Sequence, residues 1–202
     1  MKRLNQYIFK RKAVSYLQQS NRTRRWVDYK KANTILLLFE SDYIEKNRFI
    51  RKIIQKLTMD GKKISAWGFL DKKMTNTAIL PSFRILDRST IDWFERPKEP
   101  FLRELAESEY DMLIDLTLQD ILPLQYVCLY AKADFKIGMS RTMDDILDFK
   151  IIIPKPDSDE FGSGNEEDNI EFKDLNETLF HTDQQFLFEQ IIHYLKNIRS
   201  ND

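Results

Sequence analysis

One cysteine, two histidines and five glycines occur among the 202 residues, and each shortage removes a class of function. A lone thiol, Cys128, has no partner for an internal disulfide, so a reducing, cytoplasmic setting is the expectation. His181 and His193 would lie about 120° apart even on one continuous helix, which argues against a histidine-built metal centre or a serine or cysteine triad. Glycine is too sparse for a phosphate cradle: neither G-x-G-x-x-G nor G-x-x-x-x-G-K-[ST] is present, and Gly162-Ser163-Gly164 sits among acids in a linker-like stretch. No apolar run approaches the ~20 residues that a membrane-crossing helix needs. The basic start, Met1-Lys2-Arg3, lacks the apolar segment of a signal peptide. Metal, cofactor and transmembrane segment are therefore all expected to be absent.

What remains is ordinary globular material, 42% hydrophobic and 32% charged, with a net charge of zero. Its charge is unevenly spread. Residues 1–31 carry ten Lys/Arg and one acid, and residues 157–177 carry nine Asp/Glu and one base. Two readings stand: solvated faces that offset each other, or a basic arm that meets an anionic partner. Arg22, Arg24, Arg25, Lys30 and Lys31 around Trp26 could grip phosphates and stack bases. The competing reading tucks Trp26 into the core. The domain expectation is a basic helix and connector over 1–31, then one α/β domain over 32–202 with an acidic mobile loop at 157–168.

Hydrophobic periodicity gives the elements. Leu4, Tyr7, Ile8, Val14 and Leu17 suggest a helix interrupted by Arg11. Thr34–Phe39 is a continuous apolar run, as in a strand covered on both faces. Ser41 or Asp42 can cap a helix with the stripe Ile50, Ile53, Ile54 and Leu57, stopped by Asp60-Gly61. Ile64–Leu70 is the next strand, so strand, helix and strand form a right-handed parallel crossover. Further strands are expected at Phe83–Leu86, Asp111–Leu116, Phe135–Gly138 and Phe149–Ile153. Helices are expected at Phe101–Ser108 and Pro123–Lys132, with a last one capped by Thr182-Asp183-Gln184-Gln185. The fold class is thus α/β, a three-layer Rossmann-like domain on a mainly parallel sheet, with the basic helix at one end and a packing helix at the other.

Such sheets bind ligands beyond the carboxyl ends of their strands. That rule nominates Glu40, Ser41 and Asp42 after the first strand and Asp71 and Lys72 after the second. It adds Thr117, Gln119 and Asp120 with Asp115 at the fourth, and Ser140 and Arg141 after the fifth. Glu40 and Asp42 would repel a phosphate, so a dinucleotide is not expected there. Cys128, among Tyr126, Val127, Leu129 and Tyr130, reads as a buried hydrophobe rather than a nucleophile.

The run Tyr110–Thr117, then Leu122-Pro123-Leu124-Gln125-Tyr126, then Ala131–Gly138, resembles an uncharacterised Bacteroidetes family of small domains of unknown function. That likeness implies bacterial relatives and no assigned activity. The same thirty or so residues are similar to part of the N-terminal Rossmann-like half of heptosyltransferase-like glycosyltransferases. This implies a lone half without transfer activity, since Phe39-Glu40-Ser41-Asp42 replaces their glycine-bearing loop. The functional expectation is a non-catalytic binding or ligand-sensing module for an unknown protein or small anionic ligand. The alternatives are a small transferase or hydrolase using Asp115, Asp71 and Arg141 on a sugar or phosphorylated metabolite, and nucleic-acid binding by the basic arm.

Overall fold

A computed structural model describes residues 2–20, 22, 24–41, 45–71, 83–141, 144–152 and 184–198. Six strands form one all-parallel sheet: β1 (Thr34–Glu40), β2 (Lys63–Leu70), β3 (Phe83–Asp87), β4 (Glu109–Asp115), β5 (Lys132–Met139) and β6 (Phe149–Ile151). Their order is β3-β2-β1-β4-β5-β6. The chain winds outward from β1 to β3, returns to the middle, then winds the other way. This is the doubly wound, Rossmann-like arrangement, with its switch point between β1 and β4.

Helices cover both faces. β1 is central, and Ile35, Leu36, Leu37, Leu38 and Phe39 have no exposed surface. Alternation sends Ile35, Leu37 and Phe39 to one side, where α2 (Glu45–Met59) and α5 (Gln184–Asn197) pack. Leu36 and Leu38 point to the other side, toward α3 (Glu99–Ala106) and α4 (Leu122–Tyr130). Full burial of each such side chain contributes roughly 1.5–3 kcal/mol, so this uninterrupted run anchors the sheet. The α2 stripe is as expected, with Ile50, Ile53 and Leu57 buried, and Gly61 adopts the left-handed φ of 79° that ends the turn. The proposed cap at Asp42 and the capping box from Thr182 fall outside the described residues.

Two expectations need correction. The α1 helix (Lys2–Gln19) does not pack through Leu4, Tyr7 and Val14, which are exposed, but through Asn5, Phe9 and Ala13. The cause is α4: all eight residues from Leu122 to Leu129 are buried, so this helix needs a cover on its outer side. Small Ala13 admits a close approach, Phe9 stands edge-on to Tyr126 at 4.7 Å, and Tyr16 does the same to Tyr130 at 5.1 Å. Second, α4 ends at Tyr130 rather than Lys132, and β5 begins at Lys132. Pairing of Glu109 with Lys132 and Tyr110 with Ala133 extends the strand by a tertiary ladder invisible to local pattern.

Among the described glycines, Gly68 is the most tightly packed. A Cβ at Gly68 on β2 would stand 2.7 Å from the Phe39 ring and 2.9 Å from Ile85. Phe39 can lie across β2 only because that position is bare.

Candidate functional site

The switch point between β1 and β4 is where an open parallel sheet usually holds its ligand. Here its polar groups are turned on one another. Arg141, following β5, forms an ion pair with Asp115, hydrogen-bonds the Thr117 hydroxyl and donates to the Gln119 carbonyl at 2.8 Å. Asp115 and Thr117 are 2% and 0% exposed. The second use of Asp115 is local: its Oδ1 accepts from the Thr117 amide at 2.9 Å and hydroxyl at 2.7 Å. Burial acts most strongly on Arg141 and would lower its pKa, but the Asp115 carboxylate together with smaller contributions from Cys128 and Asp120 outweighs it, and the pKa is raised. Glycine at position 138 makes room, since a Cβ there would meet Asp115 Cβ at 3.0 Å.

Glu40, at the end of β1, completes this knot. Its carboxylate accepts from the Leu118 and Gln119 amides at 2.7 and 3.0 Å. Its own backbone is clasped by Gln184 of α5, which accepts from the Glu40 amide and donates to the Glu40 carbonyl. The cavity beside the Asp115–Arg141 pair, bounded by Gln125, Cys128 and Leu147, holds about 20 Å³. That is room for one water.

The other nominated residues are dispersed. Asp71 lies beyond β2, separated from β4 by β1, and is exposed and bound to Arg88. The Ser41 and Ser140 amides continue the ladders by bonding the Phe69 and Ile151 carbonyls. Lys72 and His181 lie outside the described residues, as does the acidic stretch 157–168. Cys128 is buried, and desolvation pushes its thiol up to about 12, which suits the hydrophobe reading. No group of three or more His, Cys, Asp or Glu capable of holding a metal occurs among the described residues.

The basic connector is held to the fold rather than splayed outward. Arg22 makes a bidentate ion pair with Asp148 and donates to the Ala133 and Asp134 carbonyls. Arg25 reaches Asp134 at 2.5 Å, and Arg24 donates to the Asp145 carbonyl at 2.7 Å. Trp26 packs edge-on against Phe135 and Phe149, with ring centroids 4.9 and 6.2 Å away. Lys30 and Lys31 are exposed.

A larger concavity lies at the opposite, amino end of the sheet. It holds about 530 Å³, within the range of small-molecule pockets. Its walls are the end of α1 with the connector (Tyr16, Leu17, Arg22, Arg25), the end of α4 and the starts of β4 and β5. Lys136 lines it and is 2% exposed. Its ammonium donates to the Cys128 and Leu129 carbonyls at 2.5 and 3.3 Å, at the negative end of α4. Those contacts account for two of its three protons. Desolvation draws its pKa down to about 8. On sequence alone Lys136 is one residue of the strand expected at Phe135–Gly138. Yet a lysine on a strand covered on both faces has to be buried, and that signal was available.

The chain belongs to a family of unknown function, DUF6913, whose profile matches residues 3–166. No curated protein and no solved structure matches it. Among the described residues, no helix is long and apolar enough to cross a membrane.

Proposed function

We propose that this member of DUF6913 is a non-catalytic binding module of the bacterial cytoplasm, and that it takes an anionic group into the groove between α1 and β5. The observation that carries this reading is Lys136. It is a buried ammonium lining a cavity of about 530 Å³, stabilised by helix-end carbonyls and by no carboxylate contact among the described residues. Uncompensated buried charge is costly. An incoming carboxylate or phosphate would add a counter-charge in contact with the ammonium to the pull that the Asp148 carboxylate already exerts, with Arg25 and Lys132 also lining the groove.

The strand-end residues support the same reading by elimination. A general acid or base needs a side chain free to exchange a proton with substrate. Asp115 is committed to Arg141 and Thr117, and Glu40 to two loop amides. That network fastens the loop after β4 to β1 and β5, a structural duty. The transferase alternative has the winding of the sheet in its favour but needs this crevice to open.

Thermal-shift and calorimetric titration with inorganic phosphate and with citrate tests the proposal. Either anion should stabilise the wild type, and Lys136→Met should abolish the effect. Stabilisation untouched by Lys136→Met but lost in Asp115→Asn would return the site to the strand-end crevice.

A further inference from the structure

The outward face of α1 is a second surface with its own chemistry. Leu4, Tyr7 and Val14 are 59%, 58% and 49% exposed, on the side of the helix opposite Phe9 and Ala13. Bases bracket them. At 100° per residue, Arg3 and Lys10 flank the stripe on one side, Lys12 flanks it on the other, and Arg11 lies within it. All four are exposed. The whole helix carries five bases and no acid.

Next to it stands a turn that holds an indole in solvent. Trp93 is 76% exposed and Phe94 40%. The turn is ordered: Ile91 bridges Pro97, the Asp92 amide bonds the Arg96 carbonyl at 2.8 Å, and the Asp92 carboxylate accepts from the Phe94 and Arg96 amides. Glu95 takes a φ of 61°, a conformation that costs a non-glycine residue energy. Asn5 of α1 donates to the Trp93 carbonyl at 3.3 Å, and the Lys12 ammonium stands 5.9 Å from the centre of the Phe94 ring. The turn therefore abuts the Lys12 flank of the helix.

We infer that this surface binds an anionic lipid bilayer. Exposed Leu, Tyr and Trp side chains beside long basic stems suit the headgroup region of a bilayer, where indole settles at the interface and the charged ends of the bases reach lipid phosphates. The cytoplasmic leaflet supplies the negative charge that an acid-free helix complements.

Vesicle co-sedimentation and tryptophan fluorescence test this directly. Vesicles of phosphatidylcholine containing one-fifth phosphatidylserine should pull down the full chain. Pure phosphatidylcholine vesicles should not, and added salt should release the protein. Trp93 emission should shift to the blue on binding, because Trp67 is already buried and Trp26 partly so. Each of Arg3→Gln, Arg11→Gln and Lys12→Gln should weaken binding by roughly fivefold. Trp93→Ala should weaken it and remove the shift. All four positions are exposed, so an unchanged melting temperature checks that the fold survives. Failure to sediment with the anionic vesicles, or sedimentation indifferent to both charge and Trp93 variants, would overturn the inference. So would self-association through this face without vesicle binding.

Discussion

Replacing Lys136 by Met should change the sign of its effect on stability across the alkaline range. The folded chain releases the Lys136 proton at about 8, whereas the unfolded chain holds it to the ordinary value of 10.5. Between those points the unfolded state binds more protons, so wild-type stability rises with pH. Below the folded value both states are charged and the full cost of burying the ammonium is present. The gap between the two values corresponds to about 3 kcal/mol. Met fills similar space without charge, but it leaves the Cys128 and Leu129 carbonyls without their ammonium donor, at about 1 kcal/mol each. The variant should therefore be more stable than wild type by about 1 kcal/mol near neutral pH, and less stable by about 2 kcal/mol once the amine is neutral. Urea unfolding of both proteins over this range reads the difference directly, and other titrating groups cancel. Parallel stability profiles would refute the reasoning, because they would mean that Lys136 meets water or a counter-charge in the fold.

Other outcomes follow from the same geometry. Anion binding in the groove should weaken as pH rises through about 8, since the cation it neutralises disappears; calorimetry at two pH values checks this, and a flat response counts against the site. Breaking the strand-end pair by Arg141→Leu should destabilise by about 3–5 kcal/mol, because it strands a buried carboxylate, whereas Asp115→Leu combined with Arg141→Leu should recover much of that loss in chemical denaturation. Gly68→Ala should cost about 1–3 kcal/mol by driving a methyl into the Phe39 ring, visible as a lower denaturation midpoint. Asp60 accepts from the Tyr29 hydroxyl and from Lys196, and the hydrogen bond from Tyr29 chiefly holds its pKa below the usual carboxylate range. Its contribution is therefore present at neutral pH and lost as pH falls through that lowered value, so Asp60→Asn should flatten the acid limb of the stability profile.

The sheet was legible because its evidence is local. Thr34–Phe39 announces a doubly covered strand, and Ile50, Ile53, Ile54 and Leu57 announce a helix over it. Strand order was not, since pairing of β1 with both β2 and β4 rests on contacts far apart in the chain. The α1 helix misled for a physical reason. Its two apolar stripes compete, and the choice between them is made by α4, whose fully buried surface selects Phe9 and Ala13. Of the strand-end residues, Asp115, Thr117, Gln119 and Arg141 lie together in one region. Their mutual satisfaction could not be foreseen, because an ion pair across 26 residues leaves no periodic trace. The groove at the amino end escaped notice altogether. The rule that favours carboxyl ends directs attention away from it, and Lys136 reads as one more residue of a strand.

The proposed site for anions is the amino end of β4 and β5 and not the switch point. Backbone amide NMR shifts during titration with inorganic phosphate address it most directly. Shifts should concentrate at Ala131–Lys136 and along Tyr16–Arg25, with Leu118, Gln119 and Arg141 unmoved. Shifts centred on those last three amides, or none at either end of the sheet, would contradict it.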